Sequence, residues 1–233
     1  MADYARPELL AETGWLAEHL GDPNVVVVDC QEWRLYNRGH IPGAVSSPNY
    51  SDRLKDPDNP AFVMSPSQFT ALMAELGIGD DDMVIAYDDN RSLFASRLWW
   101  VLNYYGHHQV KVLNGGWNKW VLEGRPVSIT ATKREGGVFT PRPQQDWVVS
   151  SDEMRTCLTD STFVALDTRS QAEYDGANLR TNRFGGHMEG AVHLEWLNNL
   201  VDDVTHVFKP ADELRQMYRT AGVTEDKRLI APY

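Results

Sequence analysis

Two parts of the chain carry the same signals in the same order. In the first, Val25-Val26-Val27-Val28 ends at Asp29, RGHIPGAV occupies residues 38–45, Ser65-Pro66-Ser67-Gln68 opens a helix, and Met83-Val84-Ile85-Ala86-Tyr87 leads into Asp88. In the second, Phe163-Val164-Ala165-Leu166 ends at Asp167, GGHMEGAV occupies residues 185–192, Lys209-Pro210-Ala211-Asp212 opens a helix, and RLIAPY occupies residues 228–233. Asp29 and His40 are 11 residues apart (40 − 29) and Asp167 and His187 are 20 apart (187 − 167), so the second copy carries nine extra residues. From His40 to Tyr87 is 47 residues and from His187 to Tyr233 is 46, a spacing that marks an internal duplication.

The repeat sets the fold class. A short, wholly apolar run bounded by turn residues reads as a strand buried on both faces, the habit of parallel sheets. Between such runs lie helix signals: Ser65 as N-cap, Pro66 in the first turn and Gly77 as the stop. LFASRLWWVLNYYG has apolar residues at helical spacing and ends at Gly106; VKVL, Asn114-Gly115-Gly116 and WNKWVLEG complete the first copy. Strands alternating with helices predict an α/β domain, a mainly parallel sheet flanked by helices. Residues 130–147 show no apolar period and are rich in Gly, Pro and charge, which reads as a linker. The expected organisation is a domain at 1–129, a linker at 130–147 and a second, incomplete domain at 148–233. That second domain has no counterpart to Asp88 through about Val127. The sequence therefore leads us to expect that the intact protein continues, with a C-terminal segment completing the second domain.

Composition narrows the partners. A formal net charge of −11 argues against a nucleic-acid surface, and an anionic substrate would need a local cluster of arginine or lysine. No run of apolar residues is long enough to span a membrane, and the start lacks a secretory pattern. Two cysteines, Cys30 and Cys157, are too few for a disulfide scaffold, so a cytoplasmic location is expected. Cys30 follows a buried strand and reads as a core thiol, with a reactive role as the alternative. Cys157 reads as a helix residue.

A strand ending in Asp, a G-H-x-x-G-A-V turn and a later strand running into a loop together resemble a rhodanese domain. Two in tandem resemble the thiosulfate and 3-mercaptopyruvate sulfurtransferases. VVVVD, RGHIPGAV, VIAYD, FASRLWW and VLNGGWNKWVLEGRPV carry the match in the first copy, and ALDTR, GGHMEGAV and ELRQMYRTAGVTEDKRLIAPY in the second. The D-x-R of this family is present as Asp167-Thr168-Arg169, whereas the first copy has Asp29-Cys30-Gln31.

The resemblance implies that only the second domain is catalytic, with a nucleophilic cysteine on the loop after its LIAPY strand. A thiolate there would take sulfane sulfur as a covalent persulfide and pass it to a thiophile, and backbone N–H groups would lower its pKa. Asp88 holds the matching place in the first copy, where it reads as a loop and helix-cap residue that cannot form a persulfide. The corresponding cysteine is expected immediately after Tyr233. Arg180 and Arg183, in the insertion before His187, are the substrate-binding candidates, with a merely solvated loop arginine as the alternative. Asp167 is expected to anchor its loop and Arg169 to make an ion pair. Trp33, Leu93 and Phe94 either wall the sulfur site or serve packing. His40 and His187 read as turn-holding residues, since no second ligand accompanies either at metal spacing.

Mercaptopyruvate-type members carry a further arginine four residues after the D-x-R arginine. Here that residue is Glu173, which tilts the donor towards thiosulfate. The leading expectation is a thiosulfate-type sulfurtransferase, using cyanide or a thiol as acceptor, with no metal or organic cofactor and no nucleic-acid or membrane partner. The alternatives are a non-catalytic rhodanese-like binding or regulatory module and, less consistent with the duplication, a dual-specificity phosphatase.

Overall fold

A computed structural model of the protein describes residues 4–47, 54–59 and 62–230. The chain divides into two compact units, Arg6–Trp147 with Asp202–Val207, and Met1–Ala5 with Val148–Val201 and Phe208–Tyr233. We call them the N-terminal and C-terminal units.

The N-terminal unit is built on five parallel strands: β1 (Leu10–Ala11), β2 (Val25–Asp29), β3 (Val45–Ser46), β4 (Met83–Tyr87) and β5 (Val110–Leu113), in the order β1-β5-β4-β2-β3. Its helices are α1 (Thr13–His19), α2 (Trp33–Arg38), α3 (Pro66–Leu76), α4 (Leu93–Tyr104) and α5 (Gly116–Leu122). Successive strand residues face opposite sides of a sheet, and the unbroken apolar runs use both. Val26, Val28, Val84 and Ala86 join one core with Phe69, Leu72 and Met73 of α3 and Leu98 and Val101 of α4. Val27, Ile85 and Tyr87 join another with Leu16 of α1 and Trp120 of α5. Helices thus cover both faces, as continuous strand hydrophobicity requires.

Helix α3 starts where the sequence predicts. Ser65 closes a capping box with Gln68, and Gly77 ends the helix in the left-handed region at φ 67°. A cap contributes about 1 kcal/mol. The four buried side chains Phe69, Leu72, Met73 and Leu76 contribute roughly 1.5–3 kcal/mol each, so packing decides this helix.

The C-terminal unit repeats part of this plan. Strands β6 (Phe163–Asp167), β7 (Val192–His193) and β8 (Arg228–Ile230) form a parallel sheet in the order β7-β6-β8, accompanied by α6 (Ser151–Cys157), α7 (Gln171–Tyr174) and α8 (Ala211–Thr220). β2 lies between β3 and β4 just as β6 lies between β7 and β8, with Asp29 opposite Ser46 and Asp167 opposite His193. The turns repeat too. Tyr36 stacks on His40 at 3.8 Å and donates to Ala44 O; Tyr174 stacks on His187 at 3.7 Å and donates to Ala191 O. His40 Nδ1 bonds Tyr36 O and His187 Nδ1 bonds Tyr174 O, so both histidines hold their turns.

Some elements escaped the sequence reading. Residues 33–38 form a helix too short to show a period, and β1 with α1 lies in an N-terminal stretch whose pattern was not resolved. Residues 130–147, read as a linker, are strapped to the N-terminal unit. Phe139 is buried and meets Phe69 edge-on at 5.2 Å, Arg134 pairs with Asp82 at 2.6 Å, and Arg142 N donates to Tyr105 O. An extended strap has no period; its packing comes from Phe139 and from Trp147, whose ring lies 5.6 Å from Trp99 and 6.5 Å from Trp100. Asp202–Val207, inside the expected second domain, clusters with the N-terminal unit.

One buried carboxylate ties β2, β4 and the G-H turn together. Asp29 accepts from Tyr87 Oη at 2.5 Å and from Gln31 N and Nε2, and Tyr87 Oη accepts from Ile41 N. Burial pushes the Asp29 carboxyl up to about 7, with its three donors pulling the other way. A folded-state value raised above the ordinary 3.8 contributes stability that is complete below that value and is lost as pH rises through about 7. Comparing urea midpoints from pH 4 to 8, we expect Asp29→Asn to lack the part of the wild-type decline that falls in this window. Parallel profiles for the two proteins would contradict the assignment.

Candidate active site

In parallel α/β sheets, ligands collect beyond the carboxyl ends of the strands. In the N-terminal unit the loop leaving β4 begins at Asp88, whose side chain is buried and turned into its own loop. Oδ1 accepts from Asn90 N (2.8 Å) and Ser92 N (2.9 Å), and Oδ2 from Phe94 N (2.8 Å) and Ala95 N (2.7 Å). Two of these donors belong to the first turn of α4, where the helix dipole also favours a negative charge. Arg91 and Ser92 are both left-handed, at φ 58° and 65°, a conformation that costs a non-glycine residue energy and persists only where neighbours enforce it. The carboxylate enforces it here. Burial pushes the Asp88 carboxyl up and the four N–H donors oppose that.

The turn before α5 seals the loop from the other side. Trp117 N donates to Asp88 O at 2.9 Å, and a Cβ on Gly116 would lie 2.4 Å from that oxygen. Only glycine permits the approach. This loop is an anion cradle filled by its own aspartate, so the cap role expected of Asp88 is the one it performs. Phe94 supplies a backbone donor while its ring packs against the core, and Leu93 is exposed. Trp33 is 48% exposed and stacks on Tyr36 at 5.5 Å. Cys30 is fully buried, with its thiol pushed well up by burial, which matches the core reading.

The C-terminal unit builds a charged cluster on the same frame. Asp167, at the end of β6, accepts from Arg169 N at 3.0 Å and takes the guanidinium at 2.5 Å. Gln31 N and its amide reach Asp29 in the same way, so D-x-Q and D-x-R are one turn with different donors. The charge changes the outcome. Burial pushes Asp167 up, yet the Arg169 guanidinium outweighs it and holds the carboxyl below the ordinary range, opposite to Asp29. Arg169 Nη2 also donates to Gly186 O, closing the base of the nine-residue insertion. A Cβ on Gly185 would lie 2.8 Å from Gly176 O, so the two ends of the insertion meet through glycine.

Within that insertion the two candidate arginines separate. Arg180 pairs with Glu173, which is buried at the start of α7. Arg183 is exposed and lies 5.1 Å over the ring of Phe184, itself 77% exposed. Asp167, Arg169, Glu173 and Arg180 therefore make an alternating chain of charge, acids inward and arginines outward. Glu173 as the partner of Arg180 was not foreseen, although its unusual place in DTRSQAEY was. Ala231–Tyr233, the end of the strand expected to lead into the nucleophile loop, lie outside the described residues. Among the described residues no group of three or more His, Cys, Asp or Glu could hold a metal, and no helix is long and apolar enough to cross a membrane.

A family profile described as Rhodanese-like domain matches residues 12–123. Sulfur carrier protein TtuD of Thermus thermophilus is 34% identical over 239 residues, covering 97% of this chain and 82% of that protein. The chain belongs to the rhodanese family. A Mycolicibacterium smegmatis member that carries the provisional name thiosulfate sulfurtransferase is 34% identical over 236 residues, covering 97% of this chain and 83% of its own. Among solved structures, the crystal structure of SseA from Escherichia coli, described as a 3-mercaptopyruvate sulfotransferase with the rhodanese fold, superposes with a TM-score of 0.84. It is 28% identical, and the match covers 96% of this chain and 87% of SseA.

The Asp88 cradle gives a direct test on the rhodanese frame. Each N–H bond to a buried carboxylate contributes roughly 1.5–3 kcal/mol, and the lost donors re-solvate in part. Asp88→Ala is expected to destabilise the N-terminal unit by about 2–4 kcal/mol in urea unfolding. Asp88→Asn should cost nearly as much, because its NH2 would face two N–H donors. An Asn variant as stable as wild type would show that the negative charge is not what the loop requires.

Proposed function

We propose that this protein is a thiosulfate-type sulfurtransferase whose C-terminal unit transfers sulfane sulfur through a cysteine persulfide, while the N-terminal unit is non-catalytic. The names of the relatives support the class. The observation that carries the mechanism is the Asp88 cradle: on this frame, the loop leaving the central strand wraps one anionic side chain in four backbone N–H groups. A thiolate or persulfide at the matching place in the C-terminal unit, on the loop expected after Tyr233, would receive the same stabilisation. Asp88 cannot hold sulfane sulfur, which leaves the N-terminal unit silent. Cys30 is too buried, and Cys157 sits at the end of α6 rather than on a strand-to-helix loop.

In this reading the thiolate attacks the outer sulfur of thiosulfate, the S–S bond breaks, and sulfite leaves with the bonding electron pair. Cyanide or an acceptor thiolate then attacks the persulfide sulfur and the enzyme thiolate is regenerated, without a metal or organic cofactor. Arg180 would bind the sulfonate end of the donor. With Glu173 in place of a second arginine, the site has one fork and suits one oxyanion head, which favours thiosulfate over a keto acid donor.

The test uses the complete gene product. Thiosulfate with cyanide should yield thiocyanate, and thiosulfate alone should add one sulfur atom to the intact mass, removed on adding cyanide. Folded protein that forms neither thiocyanate nor the sulfur adduct would leave the non-catalytic binding module as the better reading.

A further inference from the structure

Glu173 and Arg180 form an unequal pair. The Glu173 side chain is 6% exposed and that of Arg180 is 66% exposed. Glu173 is held from the helix side, where Ser170 Oγ donates to Oε2 at 2.7 Å within the capping box of α7. From the loop side, Arg180 Nε lies 2.7 Å from Oε1 and Nη2 donates to Oε2 at 3.1 Å. Both contacts lie on the side-on edge of the guanidinium: an ion pair at Nε and a hydrogen bond from Nη2. The backbone at Arg180 is left-handed, at φ 45°, and its N–H is taken by Asn178 Oδ1 at 3.0 Å. A long side chain adopts that conformation only under constraint, and the constraint turns it back onto α7.

A guanidinium has five N–H donors in a rigid plane, and the contact with Glu173 occupies its Nε–Nη2 edge. The end-on edge, Nη1 with the second hydrogen of Nη2, makes no hydrogen bond among the described residues, on a side chain that is 66% exposed. Such a fork matches two oxygens of a sulfonate or carboxylate. The base of the insertion is fixed independently by the Arg169–Gly186 bond and the Gly176–Gly185 approach. The Glu173 carboxylate is therefore not the insertion's sole fastening. It orients one side chain upon it.

We propose that Glu173 is the positioning residue for Arg180, holding its side-on edge so that the end-on fork is left to take the oxyanion end of the sulfur donor. The inference rests on the reading of the protein as a sulfurtransferase with Arg180 in its donor site. A lysine could not serve both partners, because an ammonium is a point charge without two separate edges. Arg183, stacked on Phe184, has no carboxylate to fix it and is not assigned this role.

Ping-pong transfer gives a readout that separates positioning from general damage. In the complete gene product, kcat/KM for thiosulfate reports the half-reaction that loads sulfur, and kcat/KM for cyanide the half-reaction that unloads it. Glu173→Gln is expected to lower the thiosulfate value about tenfold and leave the cyanide value unchanged. Arg180→Lys should do the same, the double variant should add little, and Glu173→Asp should recover part of the loss. Equal losses in both values, or no loss in the thiosulfate value, would overturn the positioning role while the sulfurtransferase reading stands. A wild-type protein that makes no thiocyanate would overturn that reading and this inference with it.

Discussion

Parallel pairing of the strands is the constraint on which the rest depends. Because β2 and β4 run in the same direction, Asp29 at the end of one and Asp88 just beyond the other lie at the same end of the sheet. Backbone N–H groups from the following loop and helix converge there, and so do the turns held by His40 and Tyr36. An antiparallel arrangement would send these groups to opposite ends. The continuous apolar strands are the cost of this arrangement, since a sheet covered by helices on both faces leaves no polar side to its interior strands.

The two units share this frame and differ in its charges. Asp29 and Asp167 occupy the same position and accept the same turn bond from the residue two places on. A neutral glutamine beside the first leaves burial in control, and the carboxyl is pushed up to about 7. An arginine beside the second reverses the direction. The same substitution lets Arg169 reach Gly186 and brace an insertion that the first copy lacks. One side chain thus resets the local electrostatics and anchors the loop bearing Arg180. The N-terminal unit has the quieter version, with its cradle occupied by Asp88.

Much of this was legible because the determinants are local. Val25–Asp29, Met83–Tyr87 and Phe163–Asp167 were readable as strands because burial on both faces leaves an unbroken apolar run. Ser65, Pro66 and Gly77 delimited α3 through backbone chemistry confined to a few residues. Residues 33–38 were missed because six residues do not complete two helical turns. The strap at 130–147 was misjudged because its hold on the unit comes from contacts remote in sequence, such as Phe139 meeting Phe69 some seventy positions away (139 − 69 = 70) and Arg134 pairing with Asp82. Trp33 and Phe94 were singled out together, yet one is an exposed ring stacked on Tyr36 and the other packs into the core.

By itself the sequence determined the family, the repeated α/β plan, the capping role of Asp88 and the position of the insertion. Each depends on residue order and on interactions that span a few residues. Only the tertiary structure decided that Tyr87 links Asp29 to the G-H turn, that the two aspartates take opposite protonation behaviour, and that Arg180 rather than Arg183 is fixed by Glu173. Those outcomes depend on burial, and on which groups a folded chain brings within hydrogen-bond reach.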